Sequence, residues 1–233
     1  MNKNSPLISV IMSTYNSSKT LNKAVESILF QSYENLELLI MDDCSTDDTM
    51  NILKSFQEKD SRIKIYKNSK NSGLTKSLNI LINKSKGEII ARQDSDDISD
   101  KDRLLKQLLF MRRKECHIVS SRARVINSNR KIPRYSFFIP KKLVMKYKNP
   151  FIHGTLFIQK ETLKSVGCYD ENFYFAQDYK LMKDLISKDY KIGFIKEPLY
   201  LLNLENNISQ LYKEEQGYYA SCVKKNKLPD LRK

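Results

Sequence analysis

Three carboxylates stand within four residues at Asp94-Ser95-Asp96-Asp97, at the end of a short apolar run through Ile89-Ile90-Ala91. Such a run reads as a buried strand, and open α/β sheets place their ligands beyond the carboxyl ends of their strands. If the chain stays extended, Asp94 and Asp96 point the same way and Asp97 the opposite way. Two carboxylates on one side make a hard oxygen site suited to Mg2+ or Mn2+, above all when a ligand's phosphates complete the shell. The plainer alternative is a solvated loop that caps the next helix, with Ser99 or Asp100 as N-cap.

The elements that must position this acidic tip precede it. Leu7 to Met12 is a β-rich run stopping at the polar turn Ser13-Thr14-Tyr15-Asn16, and Leu21, Ala24, Val25, Ile28 and Leu29 recur at helical spacing. Leu36 to Met41 predicts a strand ending in Asp42-Asp43. Ser45 with Asp48 resembles a capping box that opens a helix from about Thr46 to Glu58. Ile63 to Tyr66 predicts a third strand, and Leu74, Leu78, Leu81 and Ile82 a third helix. The alternation predicts an α/β fold with a mostly parallel sheet and helices on both faces. Right-handed crossovers then gather the polar strand ends at one crevice.

Beyond Asp97, Leu104, Leu105, Leu108 and Leu109 predict a basic amphipathic helix, and His117 to Ile126 an edge strand. The stretch from Asn129 to Tyr147 is basic and weakly periodic, which predicts a mobile or acceptor-facing insertion. Asp178 opens a helix with an apolar face at Leu181, Met182 and Leu185, Ile192 to Ile195 closes the second half, and a basic tail is helical around Gln210 to Lys224.

The 233 residues, 40% of them hydrophobic, are enough for an ordinary globular core. No stretch is long and apolar enough to span a bilayer, and Met1 to Pro6 lacks the apolar segment of a signal peptide, so the expectation is a soluble cytoplasmic protein. Cys44, Cys116, Cys168 and Cys222 are scattered singly and read as reduced thiols. The net charge of +14 suits nucleic acid, an anionic membrane surface or a small phosphorylated ligand. It concentrates in Arg103 to Lys114, in Lys141 to Lys148 and in the tail from Lys213 to Lys233. No stacking platform or nucleic-acid motif accompanies it, so no nucleic-acid partner is expected.

Pro6 with Ser9-Val10-Ile11-Met12-Ser13-Thr14-Tyr15-Asn16, then Asp42 to Asp47, Asn71-Ser72-Gly73, and Gly87-Glu88 leading into Asp94 to Asp97, resembles the family 2 inverting glycosyltransferases of GT-A fold. Asn149-Pro150 with His153, Gly167-Cys168-Tyr169-Asp170 and Ala176-Gln177-Asp178-Tyr179 are similar to the acceptor half of its bacterial capsule, O-antigen and lipopolysaccharide members. The likeness covers about residues 6–205. It implies one Rossmann-like GT-A domain over 1–205, with a nucleotide half at 6–98, an acceptor half at 99–205, and a basic tail at 206–233.

By the same resemblance, Ser13, Tyr15 and Asp43 hold base and ribose, Asp94 reaches the ribose or a metal-bound water, Asp96 ligates Mn2+ or Mg2+, and Asp97 supports Asp96. Asp178 is the expected general base, preceded by Gln177 where the family usually has Glu. Leu78 stands where many members carry Arg, with Lys76 a possible substitute, and no His follows Asp178 to join the metal. His153 is expected either to line the acceptor pocket or to be a hydrogen-bonded core histidine.

The implied activity is inverting transfer of a sugar from a nucleotide-diphosphate donor, most simply a UDP-hexose or UDP-N-acetylhexosamine, to a glycan or polyprenyl-diphosphate-linked acceptor. Lys141 to Lys148 and the tail are then expected to touch the anionic inner face of the cell membrane. Gln177 and the missing His also permit a catalytically silent sugar-nucleotide-binding or scaffolding subunit.

Overall fold

A computed structural model describes residues 5–128, 130–134, 138–205 and 211–230. The first half alternates as its periodicity requires: β1 (Ile8–Thr14), α1 (Leu21–Leu29), β2 (Leu36–Asp42), α2 (Thr49–Lys59), β3 (Ile63–Lys67), α3 (Leu74–Lys84) and β4 (Ile89–Arg92). There follow β5 (Ile98–Ser99), α4 (Arg103–Lys114), β6 (Ile118–Val125), β7 (Lys131–Ile132), α5 (Lys141–Val144), β8 (Phe157–Gln159), α6 (Lys160–Ser165), α7 (Gln177–Ser187), β9 (Ile192–Leu202) and α8 (Lys213–Lys225).

Among the described residues these strands form one sheet in the order β3-β2-β1-β4-β8-β6-β9-β5, with β7 paired to β6. The first four strands are parallel, and β8 runs antiparallel to both β4 and β6. The mostly parallel sheet that the alternation predicts is parallel across the nucleotide half and becomes mixed beyond β4. Helices cover both faces, as expected. Apolar residues of α1, α2 and α4 pack on one side around Val10, Met12 and Leu38, and those of α3, α6, α7 and α8 on the other around Ile11, Leu39 and Ile158.

Three sequence expectations are corrected. β6 is not an edge strand; it lies between β8 and β9, and its polar Ser120 and Ser121 are buried because Thr155 Oγ1 bonds both residues. The helix expected from Thr46 starts at Thr49, with Asp48 as N-cap and no side-chain cap bond, since the Ser45 hydroxyl instead accepts the Asn16 N–H at 2.9 Å. Neither Ser99 nor Asp100 caps α4: Ser99 belongs to β5 and Asp102 takes the cap position.

The tail helix begins at Lys213 and packs on α7, burying Tyr219, Cys222 and Val223 in the core. The expected boundary at 205/206 and the helix start at Gln210 involve positions 206–210, which lie outside the described residues, as do 231–233 of the tail. Among the described residues no helix is long and apolar enough to cross a membrane, and all four cysteines are free.

Candidate active site

The loops after the first three strands are braced by one another's side chains. Asn16 Oδ1 accepts the Thr46 N–H at 2.8 Å, Asp47 Oδ2 accepts the Ser18 N–H at 3.1 Å, and Thr49 Oγ1 accepts the Ser17 N–H at 2.9 Å. Asn16 and Cys44 hold left-handed backbone at φ 49 and 68, so both turns are sharp. Ser13 is half-buried on the last turn of β1, and Tyr15 stands 48% exposed above it.

Asp43 is buried and heavily engaged: Oδ1 accepts Asn68 Nδ2 at 2.7 Å and the Ser72 N–H at 2.8 Å, and Oδ2 accepts the Gly73 N–H at 2.8 Å. It shapes the floor of the expected nucleotide pocket by fixing the third loop. Gly73 is required there, with φ at +86 and the Tyr174 ring 2.6 Å from where a β-carbon would sit. Lys76 is exposed on α3.

The acidic tip rests on two arginines that sequence reasoning passed over. Arg92, 1% exposed, pairs with Asp94 Oδ1 at 2.5 Å and donates to the Gln93 carbonyl. Arg103, fully buried, donates at 3.1 Å to the carbonyls of both Arg92 and Gly154 and lies 5.4 Å over the Tyr200 ring. It is therefore not part of the solvated basic face to which its helix was assigned. Burial lowers its pKa to about 10, which leaves it cationic at neutral pH. Tyr200 OH accepts the Asp94 N–H at 3.0 Å. The extended course on which alternation depended does not hold: β4 ends at Arg92, Ser95 and Asp96 form a turn that brings the Asp97 N–H to 3.5 Å from the Asp94 carbonyl, and buried Asp97 accepts the Asn203 N–H at 2.7 Å.

This support leaves no room at Gly154, where an added β-carbon would meet Tyr200 Cζ at 2.6 Å. Gly154→Ala should cost about 1–3 kcal/mol by overpacking. Gly217→Ala, with nothing within 4 Å in mid-helix, should instead be neutral or slightly stabilising. Thermal unfolding of the two variants checks the contrast.

Asp178 projects from the first turn of α7. The helix N-cap is Ala176, in left-handed backbone, so Asp178 is not the cap. Its Oδ2 accepts Asn149 Nδ2 at 2.7 Å and its Oδ1 accepts the Tyr179 N–H at 2.7 Å. Asp178 shares a small cavity with Ser120, Asn149, Phe151 and His153. Gln177, which precedes it, is buried. His153 Nε2 and Tyr169 OH are hydrogen-bonded at 2.7 Å. Burial, then the nearby Arg92 charge, push the imidazole down to about 4, so it is neutral at physiological pH. His153 is thus the hydrogen-bonded buried histidine of the second expectation, and it borders the small cavity beside Asp178.

Two acidic groups lie within electrostatic reach of the same pair of side chains. Asp94 and Asp178 both act electrostatically on His153 and on Tyr169, as does Arg92. α3 of the nucleotide half also holds the loop that leads into α7. Asn79 exchanges bonds with the Tyr169 backbone at 2.9 and 3.1 Å, and Thr75 Oγ1 donates to the Phe173 carbonyl at 3.1 Å.

The donor set suits a divalent cation of the kind that keeps water and phosphate in its shell. Asp96 is half-buried, among the described residues no cation forms a salt bridge with it, and burial and the neighbouring Asp94 push its carboxyl up to about 6 against a smaller opposing pull from Arg92. A cation would relieve that crowding. Among the described residues no cluster of three or more His, Cys, Asp or Glu could hold a metal by itself. Protons compete with the cation at Asp96, which is neutral below its pKa and anionic above. Apparent Mn2+ affinity, followed by thermal shift, should therefore fall as pH drops below about 6 and be flat above it.

Comparison with known proteins agrees with this architecture. The O-antigen biosynthesis glycosyltransferase WbnJ of Escherichia coli is 32% identical over 219 residues, covering 91% of this chain and 85% of that protein. The UDP-Glc:alpha-D-GlcNAc-diphosphoundecaprenol beta-1,3-glucosyltransferase WfgD of Escherichia coli is 31% identical over 191 residues, 81% of this chain and 73% of that protein. Among solved structures, the Pyrobaculum calidifontis mannosyltransferase PcManGT, in complex with GDP-Man and Mn2+, superposes with a TM-score of 0.77 at 19% identity over 97% of this chain and 67% of its own. The S. aureus TarS fragment bound to UDP-GlcNAc gives 0.74 at 22% identity over 88% of this chain, which spans only 60% of the TarS fragment's length. These last two likenesses establish the fold. The model described as "Glycosyl transferase family 2" matches residues 9–179, and the chain belongs to that family.

Proposed function

We propose that the protein is a metal-dependent inverting glycosyltransferase that moves a sugar from a nucleotide-diphosphate donor to an acceptor hydroxyl in bacterial surface polysaccharide synthesis. One observation supports the reading: Asp94 of the acidic tip and Asp178 both lie close enough to the hydrogen-bonded His153–Tyr169 pair to act on it electrostatically. Ser13, Tyr15 and Asp43 line the nucleotide pocket, Lys76 stands near its diphosphate end, and Asp94 and Asp96 occupy the edge where the diphosphate would lie. Mn2+ or Mg2+, held through Asp96, would supply Lewis-acid stabilisation of the leaving diphosphate.

Asp178 accepts the proton of the acceptor hydroxyl as that oxygen bonds the anomeric carbon and the glycosidic electron pair leaves with the diphosphate. One displacement inverts the anomeric centre, so an α-linked donor yields a β-linked product. The Asn149 amide and the Tyr179 N–H each donate to one oxygen of Asp178 and aim it, and each oxygen retains a free lone pair for the proton. His153, neutral and bonded to Tyr169, lines the acceptor side with Gln177 behind it, without adding positive charge beside the base.

The names of the relatives suggest the substrates: UDP-Glc and a diphosphoundecaprenol-linked acceptor for WfgD, O-antigen synthesis for WbnJ. A UDP-hexose or UDP-N-acetylhexosamine donor and a polyprenyl-diphosphate-linked or free glycan acceptor follow for this chain, with the enzyme peripheral on the inner face of the membrane. Screening UDP-, dTDP- and GDP-sugars for Mn2+-dependent thermal stabilisation, then for release of the nucleotide diphosphate, tests the proposal. Stabilisation without any release, even with acceptor glycans, would favour the silent binding subunit instead.

A further inference from the structure

Between Glu115 and Glu161 the sequence contains no Asp or Glu and ten Lys or Arg, against a whole-chain charge of +14. Most of the positive excess is therefore carried by β6, β7, α5 and their connections, and not by the tail. Within this stretch the segment 138–148 forms a ledge. Phe138 is 77% exposed, Ile139 42%, Leu143 47% and Tyr147 70%, with Lys142, Lys146 and Lys148 exposed among them.

Single exposed apolar side chains are ordinary, but four within ten residues, interleaved with lysines and without one carboxylate, have the composition of an interfacial segment. The ledge is anchored from below. Val144 and Met145 are buried, and the Met145 carbonyl accepts the Tyr179 hydroxyl at 2.5 Å. Its next residue, Asn149, holds Asp178. The exposed apolar surface thus adjoins the candidate base. By contrast α8 carries Glu214 and Glu215 in its first turn and buries Tyr219, Cys222 and Val223, which makes it part of the core rather than a basic arm.

We propose that the 138–148 ledge docks in the headgroup layer of an anionic lipid bilayer. The lysines lie on lipid phosphates, and Phe138, Leu143 and Tyr147 enter the acyl boundary, so that a lipid-borne acceptor is presented beside Asp178. Charge selects the partner: the segment has no carboxylate of its own, exposed Asp189 pairs only with Lys142 at 2.8 Å, and the remaining lysines are drawn to an anionic leaflet. The inference deepens the glycosyltransferase reading by placing its acceptor, yet its test needs no transfer.

The chain has no tryptophan, so Leu143→Trp supplies a single reporter. Vesicles of phosphatidylcholine alone and of phosphatidylcholine with phosphatidylglycerol are compared by co-sedimentation and by the emission of that reporter. Binding to the anionic vesicles only, with a blue shift, is expected. Lys142→Gln, Lys146→Gln and Lys148→Gln together should weaken binding about 100-fold. Phe138→Ser with Tyr147→Ser should abolish the blue shift, whereas Lys224→Gln with Lys225→Gln should change neither.

Equal recovery from both vesicles, binding without a blue shift, or ledge variants that alter only the oligomeric state would each overturn the proposal. Donor-induced stabilisation, measured in the same variants, separates the two readings. It should survive loss of vesicle binding, and its absence from the unaltered chain would count against glycosyl transfer alone.

Discussion

Asp178→Asn should lower sugar transfer by about 10²–10⁴-fold while leaving donor-induced thermal stabilisation unchanged. The substitution keeps the shape of the side chain and removes its ability to take a proton. Asp178 is hydrogen-bonded to Asn149 and the Tyr179 N–H, whereas the donor is proposed to sit on the loops after β1, β2 and β3. Asn149→Ala should cost less, because it removes one of the two hydrogen bonds that orient Asp178 and leaves the carboxylate in place. Initial rates of nucleotide-diphosphate release with acceptor, alongside thermal shifts with donor, measure both quantities. An Asp178→Asn protein that retains a tenth or more of the rate would place the proton acceptor elsewhere, while parallel loss of donor binding would make Asp178 a structural residue.

The second large effect is expected at Arg92, where Arg92→Met should destabilise the fold by about 3 kcal/mol. The guanidinium is 1% exposed and its loss leaves Asp94 beside Asp96 without the cation that offsets them. Removing one member of a buried pair costs about 3–5 kcal/mol. The low end applies because the Asp94 side chain is 28% exposed and water recovers part of the loss. Adding Asp94→Asn to Arg92→Met should restore part of the stability, since the stranded charge is then gone. Chemical denaturation of the two single variants and the double variant closes the cycle. Strict additivity would mean that the pair does not couple.

What the sequence made legible follows the strength of its periodic signals. β1 to β4 and α1 to α3 each carry an apolar pattern that only one secondary structure satisfies, so the nucleotide half and its gathered strand ends could be read directly. β6 could not, because Ser120 and Ser121 look like solvent positions. Their burial depends on Thr155, a partner 34 residues away from Ser121 that local pattern does not reveal. Ser45 failed as a capping residue for a related reason: a neighbouring loop offered its hydroxyl a donor before the helix did.

The site was legible in its carboxylates and not in its arginines. Asp94, Asp96 and Asp178 stand at positions whose surroundings announce them. Arg103 was counted with the basic face of α4, although it lies with Gln107 on the same stripe as Leu104, Leu108 and Met111. Two polar residues four apart on an apolar stripe were the available signal that this helix carries a buried hydrogen-bonding function. Arg92 offered a similar signal, as a cation at the end of an otherwise apolar β4.

Asn79 and Thr75 reach from the nucleotide half to the loop that launches α7, and Tyr174 lies flush on Gly73. One helix consequently acts as a common buttress for donor and acceptor machinery. Under the proposed roles, the spacing between leaving group and proton acceptor depends in part on these α3 contacts.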